Sequence, residues 1–129
     1  MAKFTYDHIH LRTPNPEATA QWYERVFGAE VLRTVQQGQP RIDLKLGGAN
    51  IFIAPAKVGD GVDPPPKTPH RGLDHFGLTV TGIDAIVAEM KAKGVVFTKE
   101  PATIRPGVRV AFLRAPDGVS IELLDRNAA

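Results

Sequence analysis

Two stretches of the chain decide its fold: Tyr6-Asp7-His8-Ile9-His10-Leu11 and Leu73-Asp74-His75-Phe76-Gly77-Leu78. Each places a histidine directly after an aspartate at the start of a strand pattern. Each is then followed by a helix pattern that ends in a glycine, Gly28 in the first case and Gly94 in the second. The spacing between the two histidines nearly equals the spacing between the two glycines. This repeat predicts two equivalent modules, with the two histidines at equivalent positions.

The composition excludes several classes of protein. The chain has 129 residues, of which 43% are hydrophobic, so it is long enough to form one domain with its own core. It has no long apolar run and does not begin with a leader pattern, which predicts a cytoplasmic protein with no membrane partner. A net charge of +2 with scattered lysines and arginines does not favour nucleic acid. Because cysteine is absent, any metal must be bound through nitrogen and oxygen.

The first module begins with a strand and a helix. His8, His10 and Arg12 alternate with apolar residues, so they share the polar face of a strand. Asn15 followed by Pro16 is typical of a helix start, with a capping side chain and then proline in the first turn. The helix pattern runs to Phe27 and is closed by the glycine already noted.

A hairpin completes the first module. Gly47-Gly48 separates two alternating runs, and a two-residue turn of this kind fixes the strand register. Counting outward from the turn places Asp43 opposite Phe52. On this register Arg41 joins these two residues on the polar face of the sheet.

The second module repeats the order after a proline-rich linker over residues 55–73, a length that often marks a functional loop. His75 opens a strand, and a helix pattern follows. A short strand is predicted over Val95–Phe97, and a last hairpin turns at Pro116-Asp117-Gly118. In the final strand Glu122 interrupts an apolar run on the polar face, the same face as His75.

These patterns together predict an α+β fold made of two βαβββ modules. The modules would form a cupped mixed sheet with both helices on its outer face. We expect a single domain over residues 1–129, with module 1 at about 4–54, a linker at 55–73 and module 2 at about 74–126. This arrangement would place His8, His75 and Glu122 on a common concave surface.

Two imidazoles and one carboxylate are the donors that a divalent first-row metal takes from nitrogen and oxygen ligands. With coordination positions left open, the set suits iron(II), and manganese, nickel, cobalt and zinc are also possible. The alternative is that each residue is simply structural or solvated. The coincidence of two repeated histidines and a carboxylate on their shared face favours the metal site.

The chain resembles the vicinal oxygen chelate superfamily, which includes glyoxalase I, extradiol dioxygenases and bleomycin-resistance proteins. Three segments carry the resemblance and span most of the chain: Asp7-His8-Ile9, Gly72-Leu73-Asp74-His75-Phe76-Gly77-Leu78, and Ala115-Pro116-Asp117-Gly118-Val119-Ser120-Ile121-Glu122-Leu123. The last segment is the most specific, since it resembles the closing strand with the family's metal-binding glutamate. The resemblance supports the fold more strongly than any one reaction, because the scaffold carries many chemistries.

The resemblance implies that His8, His75 and Glu122 bind the metal. Glyoxalase I has a fourth ligand, a glutamate or glutamine, at the position that Phe52 occupies here. The departure points to a three-ligand site, closer to the fosfomycin-resistance and dioxygenase branches. Asp43, opposite Phe52, and water are the candidates for a fourth ligand.

Other residues of the polar face are candidates for catalysis and substrate binding. Glu122 is the candidate base as well as a ligand. His10 is a candidate proton carrier, a candidate hydrogen-bond donor to a metal ligand, or an alternative ligand. Arg12, Arg41 and Arg109 are expected on the concave side, where they would favour an anionic or carbonyl-rich substrate. Phe52 and Asp43 are further candidate substrate contacts.

The leading expectation is a metal-dependent lyase or isomerase that chelates two neighbouring oxygens of a small organic substrate. One alternative is an iron(II) extradiol-type dioxygenase, and another is a non-catalytic drug-binding resistance protein. The resemblance also implies a homodimer with shared sites, in which one chain gives His8 and its partner gives His75 and Glu122.

Overall fold

A computed structural model of the chain describes residues 3–127, and both halves have the order βαβββ. The residues divide into two compact units between Asp63 and Pro64. The first unit contains β1 (Ile9–Thr13), α1 (Pro16–Phe27), β2 (Glu30–Gln36), β3 (Gln39–Leu46) and β4 (Ala49–Pro55). The second contains β5 (Phe76–Thr79), α2 (Ile83–Ala92), β6 (Phe97–Arg105), β7 (Val108–Arg114) and β8 (Ser120–Asp125).

Each half has a four-stranded mixed sheet with the same topology. The strand order is β1-β4-β3-β2 in the first half and β5-β8-β7-β6 in the second. In both, the first and last strands pair in parallel and the remaining pairs are antiparallel. The α+β class and the repeated module predicted from the sequence are therefore confirmed.

The sequence signals at the ends of α1 act as predicted. The side chain of Asn15 accepts a hydrogen bond from the Ala18 N–H at 3.1 Å, and Pro16 is the first helical residue. Gly28 closes the helix with φ at 71°, a left-handed conformation that glycine adopts without steric cost.

The helix-facing side of each sheet carries the core. In the first half Tyr23 of α1, Leu44 of β3 and Ile51 of β4 are fully buried. In the second half the fully or almost fully buried side chains come from α2, β7 and β8, and the largest are Ile83, Leu113, Ile121 and Leu123. The packed faces leave the opposite face of each sheet for polar side chains.

The hairpin of the first half has the predicted register. Gly47 and Gly48 form the turn with φ at 58° and 88°, and Asp43 pairs with Phe52. A two-residue turn with both residues at positive φ fixes this pairing.

The strand predicted over Val95–Phe97 was wrong in its extent. The observed strand β6 begins at Phe97 and continues to Arg105. Pro101 lies inside it, and its register with β7 shifts at three places. Because β6 is an edge strand, it tolerates proline and bulges that hide the alternating pattern.

No helix among residues 3–127 is both long enough and apolar enough to cross a membrane.

The N-terminus of α2 is capped from a distant strand. Its N-cap residue is Gly82, which has no side chain, and the Gly82 and Ile83 N–H groups donate to Asp125 Oδ2 at 2.9 and 3.2 Å. The other oxygen of Asp125 accepts from the Asn127 N–H at 2.9 Å. These bonds, with that of Asn127 the largest contributor, lower the pKa of Asp125.

We expect Asp125→Asn to lower the melting temperature at pH 7 by several degrees, because the replacement loses the charged cap of α2. A carboxylate with a depressed folded pKa stabilises the fold above its unfolded pKa of about 3.9, and this contribution is lost as the pH falls through the folded pKa. The difference between wild type and Asp125→Asn should therefore shrink below about pH 4. Thermal unfolding from pH 7 to pH 3 measures it, with the exposed Asp63→Asn as control. A difference that stays constant with pH would contradict the account.

Candidate metal site and substrate groove

His75 and Glu122 meet on the polar face of the second sheet. His75 directly precedes β5, and Glu122 lies on β8, where it pairs with Gly77 of β5. The pairing brings His75 Nε2 to 3.2 Å from Glu122 Oε1. Only 17% of the Glu122 side chain is exposed, so this carboxylate is partly shielded from water.

The other ring nitrogen of His75 is bound by its neighbour in sequence. Asp74 Oδ2 lies 2.9 Å from His75 Nδ1, and Asp74 Oδ1 accepts the His70 N–H at 2.9 Å. The pKa of His75 is raised, first by the hydrogen bond to Asp74 and then by Glu122. The pKa of Asp74 is lowered, mainly by the same bond to His75. The ring of Phe112 contacts His75 edge-on, with 4.9 Å between the ring centroids.

His8 has a similar environment in the first half. Asp7 Oδ2 lies 2.7 Å from His8 Nδ1. The imidazole stacks on the ring of Phe52, with centroids 4.1 Å apart and planes inclined by 23°. Phe52 therefore acts on His8 as a packing partner at the position where the resemblance implies a fourth ligand.

His10 lines an open groove of about 490 Å³ in the first half. It pairs with Phe52 across β1 and β4, so both side chains share the polar face. The pKa of His10 is lowered, first by partial burial and then by the positive charges of Arg12 and Arg41. A lowered pKa keeps this imidazole neutral at physiological pH, when it can accept a proton.

Arg41 is held at the same groove by three side chains. Its Nε lies 2.9 Å from Asp43 Oδ2, and its Nη1 lies 3.3 Å from Gln36 Oε1. The guanidinium lies over the Phe52 ring, 4.6 Å from the ring centroid. Asp43 therefore already has a cationic partner in Arg41.

Arg12 lies on the polar face of β1, as predicted. It pairs with Ala54 of β4 and is exposed to solvent.

The prediction for Arg109 was wrong in its placement. Arg109 pairs with Asp125 across β7 and β8, whereas Phe112 pairs with Glu122. Arg109 is therefore on the helix-facing side of the sheet, where its guanidinium binds both carboxylate oxygens of Asp84 at 2.9 and 3.1 Å. The loop of this hairpin is longer than two residues, so the turn did not fix the register in the sequence.

Three residues of these sites were not identified as site residues from the sequence. Asp7 and Asp74 bind the Nδ1 atoms of the two histidines, and Phe112 packs against His75. The signal for the aspartates was present, because each directly precedes its histidine in the repeated stretch. Phe112 could be placed only after the register of β7 and β8 was known.

The His75 and Glu122 atoms fit a metal ion. Two ligands on one ion with bonds of about 2.1 Å lie roughly 3.0–3.4 Å apart, for octahedral or tetrahedral angles. The observed 3.2 Å between Nε2 and Oε1 lies within this range. Over residues 3–127, no three histidine, aspartate or glutamate side chains form a group that could hold a metal ion. His8, the third predicted ligand, belongs to the other half of the chain.

The fold and its polar faces define an α+β protein with paired βαβββ modules, each with an Asp–His pair at its first strand. The sequence profile of the Glyoxalase/Bleomycin resistance protein/Dioxygenase superfamily matches residues 5–123. The chain belongs to this superfamily, so the resemblance seen in the sequence is confirmed.

Curated relatives and solved structures agree with this assignment. A lactoylglutathione lyase of Arabidopsis thaliana is 27% identical over 124 residues, a match that covers 92% of this chain and 43% of the relative. The chain thus spans less than half the length of this plant relative. A protein of Vibrio cholerae named "Probable lactoylglutathione lyase" is 27% identical over 127 residues, covering 95% of this chain and 91% of the relative.

Among solved structures, a glyoxalase family protein from Enterococcus faecalis superposes with a TM-score of 0.76 at 25% identity. The match covers 97% of this chain and 100% of the other. The glyoxalase-like fold is therefore established for the chain.

Proposed function

We propose that the chain is a metal-dependent lyase or isomerase of this superfamily, acting on a small organic molecule with two neighbouring oxygens. The observation that carries the proposal is the His75 Nε2 to Glu122 Oε1 distance of 3.2 Å, which suits two ligands of one ion. The chain's membership of a superfamily that includes lactoylglutathione lyases supports it.

We propose His8, His75 and Glu122 as the protein ligands. Nitrogen and oxygen donors suit iron, manganese, nickel, cobalt or zinc, so the donors alone do not select the ion. A bound divalent ion would supply Lewis-acid polarisation of the two substrate oxygens.

Two side chains of the polar faces can move protons. Glu122 is the proposed base as well as a ligand, because its carboxylate is partly shielded in the second half. His10 is the proposed proton carrier in the first half, since its lowered pKa leaves it neutral and able to accept. The two residues would accept and return the proton of the carbon next to the substrate oxygens.

The groove of the first half is the proposed substrate-binding surface. Arg41 would bind an anionic or carbonyl oxygen of the substrate, with Arg12 adding positive charge at the same face. Asp43 would hold Arg41 in place rather than bind the metal, given its 2.9 Å contact with the Arg41 Nε. Phe52 would form an apolar wall of the groove.

The relatives suggest lactoylglutathione as a first compound to test. Phe52 is a departure from the four-ligand pattern of glyoxalase I, so the proposal specifies a redox-neutral reaction at vicinal oxygens rather than this particular substrate.

We further propose a homodimer with shared sites, in which His8 of one chain acts with His75 and Glu122 of its partner. Both histidines have Nδ1 bound by an aspartate, and this common feature is what two parts of one site would require.

The ligand set predicts that His75→Ala and Glu122→Gln weaken metal binding by more than about 100-fold, because each loses a direct ligand. His70→Ala is the matched control, since this histidine has no proposed ligand role and its backbone bond to Asp74 survives the change. Calorimetric titration of metal-free protein with Ni²⁺ measures the affinity. Unchanged affinity in His75→Ala would contradict the site.

The role of His10 predicts that His10→Gln keeps the metal affinity but lowers kcat by about 10²–10⁴-fold, because the general acid–base group is lost. Activity is measured as exchange of the C–H hydrogen next to the oxygens of lactoylglutathione with deuterium, followed by ¹H NMR in D₂O. Loss of metal affinity in His10→Gln would instead make His10 a ligand. Oxygen uptake with a catechol by the iron-loaded protein, without such exchange, would favour the dioxygenase alternative.

The shared dimer predicts complementation between two inactive variants. His8→Ala and His75→Ala each remove a ligand from both sites, whereas a mixed dimer keeps one intact site. Unfolding and refolding an equal mixture should therefore restore about a quarter of the wild-type high-affinity metal sites, since half of the dimers are mixed. Restoration to no more than the level of each variant alone would contradict shared sites.

A further inference from the structure

The same type of hydrogen bond occurs once within each half, and the three proposed metal ligands do not by themselves explain it. His8 Nδ1 lies 2.7 Å from Asp7 Oδ2, and His75 Nδ1 lies 2.9 Å from Asp74 Oδ2. In both cases the partner is the residue directly before the histidine. The same contact therefore occurs at the start of each of the two repeated modules.

This hydrogen bond favours the tautomer that carries its proton on Nδ1. An ionised carboxylate only accepts, so in each of these two contacts the histidine Nδ1 must donate. For His75, Glu122 Oε1 competes for the proton at Nε2, but at 3.2 Å it lies farther away than Asp74 Oδ2 at 2.9 Å. Nε2 then carries no hydrogen, and its lone pair is available to bind a metal ion. The same contacts restrict the rotation of each ring about its Cβ–Cγ bond.

The two aspartates differ in their restraint and in their exposure to solvent. Asp74 is anchored by a second bond, from the His70 N–H to its Oδ1 at 2.9 Å, and 31% of its side chain is exposed. The Asp7 side chain is 84% exposed, so its charge is screened by water. A restrained, partly buried carboxylate should act on its histidine more strongly than a solvated one.

We propose that Asp74, and more weakly Asp7, are positioning residues that hold the two metal-binding histidines in the tautomer and orientation required for ligation. The proposal rests on the proposed function, which makes His8 and His75 ligands. Asp74 touches neither the substrate nor the ion and acts through His75. It also links the turn at His70 to the site, so the segment before β5 contributes to ligand geometry.

A purely structural role for Asp74 makes a different prediction. If its main task were to hold the turn through the His70 N–H, its removal would lower the melting temperature without a specific effect on Nε2 of His75. The decisive readouts are therefore the metal affinity, the dependence of that affinity on His75, and the His75 tautomer.

The affinity experiment titrates Ni²⁺ into the metal-free full-length protein by calorimetry. Asp74→Ala should weaken binding by about 10–100-fold, and Asp7→Ala by less than about tenfold. Asp74→Asn should lie between wild type and Asp74→Ala, because an amide oxygen can accept the Nδ1 hydrogen but carries no charge. Asp63→Ala, which removes an exposed aspartate of the intervening segment, should bind as wild type does.

The tautomer experiment uses ¹⁵N NMR of the metal-free protein at a pH where His75 is neutral. Wild-type His75 should carry its hydrogen on Nδ1, and Asp74→Ala should move it to Nε2. In a double-mutant cycle, Asp74→Ala in the His75→Ala background should change the residual Ni²⁺ affinity by less than about twofold, because the residue acts through His75.

The outcomes distinguish a failure of the positioning role of Asp74 from a failure of the proposed metal site. Wild-type affinity in Asp74→Ala, or an equal loss with and without His75, would overturn the positioning role while leaving the metal site intact. If wild type binds Ni²⁺ no better than His75→Ala, the proposed function fails. The tautomer measurement then decides on its own: an unchanged Nδ1 hydrogen in Asp74→Ala overturns the positioning role, and its move to Nε2 supports it.

Discussion

The parallel pairing of the first and last strands is the constraint on which each half depends. Because residues that pair in a parallel ladder share a face, β1 and β4 align His10 with Phe52, and β5 and β8 align Gly77 with Glu122. The helix packs on the opposite face, where the buried residues of these sheets lie. The polar face is thus fixed by backbone hydrogen bonds rather than by interactions between the polar side chains.

The two halves place the same residue types on exchanged strands. In the first half the acid is Asp43 on β3 and the aromatic is Phe52 on β4, and the two pair with each other. In the second half the aromatic is Phe112 on β7 and the acid is Glu122 on β8. The exchange brings the acid of the second half to its histidine, whereas the acid of the first half binds Arg41 and its aromatic stacks on His8. The second half therefore presents two candidate metal ligands, His75 and Glu122, whereas the first half presents one, His8.

Much of the fold and part of the candidate site followed from the sequence, for physical reasons. Gly47-Gly48 fixed the register that pairs Asp43 with Phe52, because a two-residue turn allows only one pairing. Arg109 was misplaced because the longer turn before β8 leaves the register open. The sequence-based prediction of strand β6 was too short because Pro101 and the bulges of this strand break the alternation of polar and apolar residues. The positioning contacts of Asp7 and Asp74 lie just before their strands, where periodicity carries no information.

The central claim is that His8, His75 and Glu122 bind one divalent ion. A crystal structure of the metal-loaded protein, with anomalous data collected at the absorption edge of the ion, tests it most directly. We predict an anomalous peak about 2.0–2.3 Å from His75 Nε2 and a Glu122 carboxylate oxygen of one chain and from His8 Nε2 of the other chain of the dimer. An ion bound elsewhere, or coordinated through Nδ1 of either histidine, would contradict it.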